Sequence, residues 1–168
     1  MSYLLDVKEI LEFAVHIEER GYEFYVEAMK KFNDPRATQL FQYLADEEFK
    51  HEALFSMLLA NEGGLRRQEA DSEYRDYMKE FVKAHPLAER RTVRDRLSRM
   101  AEPEQVLELA MEFEKESIIF FTQLKELVAQ GRSRAVEKVI HEEMGHLRKV
   151  SQMKRRLAPS PRGGAGAM

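Results

Sequence analysis

One pattern occurs twice in this chain, about 95 residues apart. Residues 14–25, AVHIEERGYEFY, align with residues 110–121, AMEFEKESIIFF, so that Glu18 falls on Glu114, Phe24 on Phe120 and Tyr25 on Phe121. Residues 47–51, EEFKH, align with residues 142–146, EEMGH, so that Glu48 falls on Glu143 and His51 on His146. Each half therefore carries one Glu on a first helix and one Glu-x-x-His on a second. Residues three apart on a helix share a face, with Cβ atoms about 5 to 6 Å apart, so Glu48 and His51 can grip one ion, as can Glu143 and His146. Two such halves set face to face assemble four carboxylates and two imidazoles, the donor set with which helical bundles hold a dinuclear metal centre. Four carboxylates inside a bundle need counter-charges, and metal cations are the natural ones.

The punctuation of the chain predicts an all-α fold, a four-helix bundle over residues 1–157. The first helix is predicted from about Asp6 to Phe32, with Ile10, Phe13, Ala14, Ile17, Gly21 and Phe24 at three- and four-residue spacing. Asn33-Asp34-Pro35 ends it and starts the second, Asp34 as N-cap and Pro35 at the first helical position. The second helix runs to about Asn61, ahead of Gly63-Gly64. The third runs from Pro103 to Gly131, turning Val106, Leu109, Phe113, Phe120, Leu124 and Leu127 inward, and the fourth from Ser133 to Arg156. Some 40 residues separate the second helix from the third. That length predicts a long crossover, with helical pieces over 74–83 and 88–100 divided by His85-Pro86. Residues 158–168, rich in Pro, Gly and Ala, read as a flexible tail with no core to join.

Composition narrows the function classes. A chain of 168 residues is one domain able to bury a core unaided. No apolar run approaches the roughly 20 residues that span a bilayer, and the N-terminus lacks a basic region followed by an apolar segment, so the expected location is cytoplasmic. The absence of cysteine excludes disulfides, thiolate metal sites and catalytic thiols. A net charge of −3 gives no support for a nucleic-acid partner. The acid-free basic stretch over 148–162 reads as a solvated helix end favoured by the dipole.

Neighbouring acids compete for the ligand positions, and the repeat decides part of the contest. Glu19 aligns with Lys115, whereas Glu18 aligns with Glu114, so Glu18 and Glu114 are assigned. Glu47 and Glu142 are both duplicated, each four residues before its His. With Leu44 and Phe55 inward, Glu48 and His51 lie near the centre of the apolar stripe and Glu47 is turned about 100° away. Glu47 and Glu142 are left as partners for the outer ring nitrogens of the histidines. A lone Glu-x-x-His is ordinarily a solvated pair; two of them, in register with duplicated glutamates, are not. His16 and His141 lie two residues before proposed ligands and are expected at the surface, and His85, before a proline, in a loop. HEEMGH is not the HExxH of zinc peptidases, because its histidines are five apart instead of four.

Together EERGYEFY, LADEEFKHE, EFEKESIIFF and IHEEMGH resemble the rubrerythrin branch of the ferritin-like superfamily, over roughly residues 6–155. The resemblance implies a ferritin-like bundle binding two iron ions per chain through Glu18, Glu48, His51, Glu114, Glu143 and His146, with manganese the other metal such donors accept. It places Tyr25 at the family's aromatic position near the site, with a catalytic role and a hydrogen bond to a ligand carboxylate. It further implies a homodimer and an oxidoreductase that reduces hydrogen peroxide with an external electron donor. The alternative is a protein that oxidises ferrous iron with dioxygen, binds it or stores it; manganese catalase chemistry and a metal-stabilised interaction module are further readings. Two departures limit the parallel. Without cysteine there is no rubredoxin-like iron site in these residues, and Ser117 stands where rubrerythrins carry a further Glu. The small side chains of Gly21 and Ser117 are expected to leave room for peroxide between the helices.

Overall fold

Strand β1 (Tyr3–Leu5) is followed by helices α1 (Val7–Met29) and α2 (Pro35–Ala60), strand β2 (Gln68–Ala70), and helices α3 (Ser72–Ala84), α4 (Arg90–Arg99), α5 (Pro103–Leu127) and α6 (Gln130–Leu157). These elements come from a computed structural model that describes residues 3–5, 7–61, 68–70, 72–88, 90–128 and 130–158. The long helices α1, α2, α5 and α6 form the expected four-helix bundle, and α3 and α4 lie in the crossover. α1 packs most closely on α2 and α5 on α6, while α1 meets α5, and α2 meets α6, more sparsely. The molecule is thus two helical hairpins laid together. Phe24, Tyr25, Phe41, Phe55, Phe113, Phe120 and Phe121 are fully buried between them, each worth about 1.5–3 kcal/mol relative to exposure. Among the described residues no helix is long and apolar enough to cross a membrane.

Local chemistry sets the helix ends. Asp34, in extended conformation at φ −80° and ψ 119°, accepts the Arg36 N–H with its side chain, and Pro35 follows at the first helical position. This satisfies one of the four backbone donors that a helix N-terminus leaves free. At the start of α5 the Gln105 side chain accepts the Glu102 N–H at 3.2 Å.

Two details depart from the sequence reading, and a third goes beyond it. α5 ends at Leu127 and not at Gly131, because Val128 turns extended at φ −83° and ψ 154° to bury its own side chain. Gly131 is then the second residue of α6 and does not break that helix. The bundle also carries a two-stranded antiparallel ribbon, β1 on β2, with Tyr3 opposite Ala70. Finally, the crossover is docked onto the bundle. The Arg20 guanidinium donates to Leu87 O at 2.6 Å and also to Ala88 O, and the His85 ring stands edge-on to Phe13 and Phe113. His85 is in a turn, as expected, but is only 4% exposed. Asp6, Gly63-Gly64 and all of the expected tail except Ala158 lie outside the described residues.

Candidate metal centre

The six glutamate and histidine residues of the repeat converge in the middle of the bundle, none more than 3% exposed. They form two overlapping quartets, Glu18, Glu48, His51 and Glu143 in one and Glu48, Glu114, Glu143 and His146 in the other, whose donor atoms lie within 4.8 Å of one another. Glu48 and Glu143 belong to both. Glu18 and His51, from α1 and α2, belong to one only, as do Glu114 and His146, from α5 and α6. Both imidazoles turn Nδ1 inward. His51 Nδ1 is 2.7 Å from Glu143 Oε1 and 3.8 Å from Glu18 Oε2. His146 Nδ1 is 3.2 Å from Glu143 Oε2, 3.5 Å from Glu48 Oε1 and 3.8 Å from Glu114 Oε2.

Buried polar atoms are ordinarily paired, yet here both oxygens of Glu18, both of Glu48 and Glu114 Oε2 have no hydrogen-bond partner. Such a set of dry, unpaired oxygens around two imidazole nitrogens suits hard or borderline divalent cations such as iron and manganese. Without a cation, protons take over part of the charge. Burial raises the carboxyls of Glu18 and Glu114 well above the usual range, and neighbouring Glu48 and Glu143 raise them further. Burial would also raise Glu143, but hydrogen bonds from His146 and His51 hold it well below. Burial pulls both imidazoles down, and the surrounding carboxylates outweigh it: His51 is pushed up to about 12 by Glu143 and Glu18, and His146 to about 9 by Glu143 and Glu48.

The rubrerythrin family model matches residues 9–154 of this chain. The chain belongs to the rubrerythrin family. It is also similar in structure to a ferritin-like diiron-carboxylate protein from Thermotoga maritima, with 28% identity and a TM-score of 0.64 over 92% of this chain and 98% of that one. No curated protein matches it.

Around the buried cluster the outer contacts are unequal. The Tyr25 hydroxyl donates to Glu114 Oε1; burial first, then the charges of Glu114 and Glu48, raise its pKa well above the usual phenol value, so it remains a protonated donor. Its counterpart in the repeat is Phe121, which can donate nothing. Glu142 takes the expected outer role, but on the histidine of the other hairpin: its Oε2 is 2.9 Å from His51 Nε2. Glu47 does not do the same. Its Oε1 is held by Lys50 Nζ at 2.5 Å, and His146 Nε2 has no partner. His16 and His141 are exposed, as expected.

The room expected beside Gly21 and Ser117 is taken. A Cβ built on Gly21 would stand 2.8 Å from Phe113 Cζ and 3.0 Å from Glu48 Oε2, so glycine is what allows Phe113 and the carboxylate to approach α1. Ser117 is covered by His85, whose Nε2 lies 3.3 Å from Ser117 Oγ. The Leu87 N–H donates to His85 Nδ1 at 3.2 Å. Burial, aided by the charge of Arg20, lowers the imidazole to about 3, so it is neutral. With Nδ1 accepting, the ring proton sits on Nε2 and is donated to the serine. No signal in the sequence announced this contact, which joins the crossover to α5. Gly21→Ala forces a methyl into Phe113 and is expected to destabilise the fold by about 1–3 kcal/mol, the usual cost of overpacking a filled core. Urea unfolding measures it, and an unshifted midpoint would show that Phe113 swings aside freely.

Proposed function

We propose that the protein is a di-iron oxidoreductase of rubrerythrin type that reduces hydrogen peroxide to water with electrons from an external donor. The pair of overlapping quartets carries this reading. One metal would be held by Glu18 and His51, the other by Glu114 and His146, with Glu48 and Glu143 between them. When bound, two ferrous ions supply the two electrons that, with two protons, convert one peroxide to two waters. The chain's own residues provide the setting. The aromatic core excludes water, which strengthens every charge interaction inside. Tyr25 is a positioning residue in this scheme, keeping its proton and holding Glu114 Oε1. These 168 residues contain no cysteine, so no thiolate-held iron lies among them and the donor is a separate group.

The test is a single turnover. The anaerobic ferrous protein, mixed with one equivalent of peroxide in a stopped-flow instrument, should be oxidised faster than by an equivalent of dioxygen, and should consume peroxide repeatedly once a reductant is added. Oxidation by peroxide that is no faster than by dioxygen, with ferric iron accumulating, would assign the same site to ferrous iron oxidation and storage.

A further inference from the structure

The two halves of the site are written almost alike, and one difference between them falls next to an orphaned atom. In the second half, Glu142 accepts His51 Nε2 across the α2–α6 seam. The repeat places Glu47 on Glu142 and His146 on His51, so the matching contact is Glu47 with His146 Nε2. Instead His146 Nε2 is buried without a partner, and Glu47 is bound to Lys50. Lys50 aligns with Gly145. That substitution accounts for the asymmetry: three residues after Glu47 stands an ammonium able to capture it, whereas three residues after Glu142 there is no side chain. Gly145 has no packing reason to be glycine, since a Cβ there would meet nothing within 4 Å, and glycine inside a helix is unfavourable. Glu142 is left to a looser pair, with Lys138 Nζ 3.7 Å from its Oε1, and keeps Oε2 for His51.

We propose that Glu47 is the outer partner of His146 in the metal-loaded protein, and that Lys50 competes for it. The inference rests on the dinuclear reading above. An imidazole that gives Nδ1 to a metal carries its proton on Nε2, and a ligating histidine nearly always donates that proton to a carboxylate, a carbonyl or water. Leaving it unpaired in a dry site is costly. Glu47 is the acceptor at hand. Its side chain is 14% exposed, and it stands on α2 at the position the repeat pairs with His146. The two metal positions then differ: the one served by His51 has its outer carboxylate in place, and the one served by His146 must draw its own away from a lysine.

Cobalt(II) titrated into the metal-free full-length protein, and followed by its visible absorption, resolves the two positions. Glu142→Gln should weaken one of them about 10–100-fold, the usual loss when an outer partner is removed, and Glu47→Gln should weaken the other by a similar factor. Lys50→Met should tighten the position that Glu47→Gln weakens, and Gly145→Lys should weaken the one that depends on Glu142. In zinc-loaded wild-type protein, nuclear magnetic resonance should show two hydrogen-bonded histidine Nε2–H protons, a readout that needs no variant to fold. Wild-type affinities at both positions in Glu47→Gln, or a single such proton, would overturn the proposal. A wild type that takes up fewer than two equivalents of cobalt overturns the dinuclear reading, and this inference with it.

Discussion

Replacing Glu48 or Glu143 with alanine is expected to empty both metal positions, while replacing Glu18 or Glu114 empties one. The asymmetry follows from which carboxylates are shared. Glu48 and Glu143 belong to both quartets, whereas Glu18 and Glu114 each belong to one. Removing an outer hydrogen-bond partner already costs about 10–100-fold in metal affinity, and removing a direct ligand costs more, so a lost shared carboxylate takes both sites below occupancy at micromolar metal. Glu18→Ala and Glu114→Ala relieve repulsion among the carboxylates, Glu143→Ala removes a partner of both imidazoles, and circular dichroism checks that each variant is folded. Elemental analysis after reconstitution with ferrous iron should read two metals per chain in the wild type, about one in Glu18→Ala and Glu114→Ala, and close to none in Glu48→Ala and Glu143→Ala. Equal losses in all four variants would refute the assignment of shared and terminal roles.

Metal loading should also raise the melting temperature, and the gap between loaded and metal-free protein should widen as pH rises from 6 to 8. In the metal-free state His51 and His146 are raised to about 12 and about 9, above the ordinary value. A raised group contributes stability that is fully present below the unfolded pKa, near 6.5, and is lost as pH climbs through the folded one. Glu18 and Glu114, also raised, act in the same direction. Glu143 is lowered, so its contribution stands above the unfolded carboxylate value near 4.5 and is lost only on acidification, outside this window. Each proton that the folded state retains and the unfolded chain releases weakens the metal-free protein by about 1.4 kcal/mol per pH unit. Metal displaces those protons, so its apparent affinity rises with pH. A site at one hundred times its dissociation constant adds about 2.7 kcal/mol. Calorimetry at the two pH values, with and without metal, measures the gap; an unchanged gap would mean that the imidazoles are not protonated in the metal-free protein.

What was legible in the sequence is what is local to a helix or copied between helices. The spacing of Glu48 and His51 puts them on one face whatever the tertiary structure, and the copy in Glu143 and His146 identifies that face. The alignment of Glu19 with Lys115 singled out Glu18, and Glu18 is the residue that the structure buries with the others. What was illegible depends on contacts between distant segments. His85 reaches Ser117 from a crossover that Arg20 and the rings of Phe13 and Phe113 hold against the bundle. α5 stops at Leu127 because Val128 finds a buried place, a tertiary fact that overrode the glycine at 131. The β1–β2 ribbon joins segments more than sixty residues apart with α1 and α2 between them, so no hairpin signal marks it. Small residues at 21 and 117 suggested empty space, and packing filled it with Phe113 and His85.

Each hairpin brings one terminal carboxylate, one imidazole and one shared carboxylate, so a single hairpin is already half a site and two identical copies would suffice to close one. The crossover converts that association between molecules into one within a chain, where tethering supplies the concentration that free copies would need. It also removes a constraint. Identical copies change together, so whatever one side of the centre acquired the other would acquire too. Tyr25 opposite Phe121, and Lys50 opposite Gly145, are differences that only a fused pair can hold, and through them a symmetric cage would treat two bound metals differently.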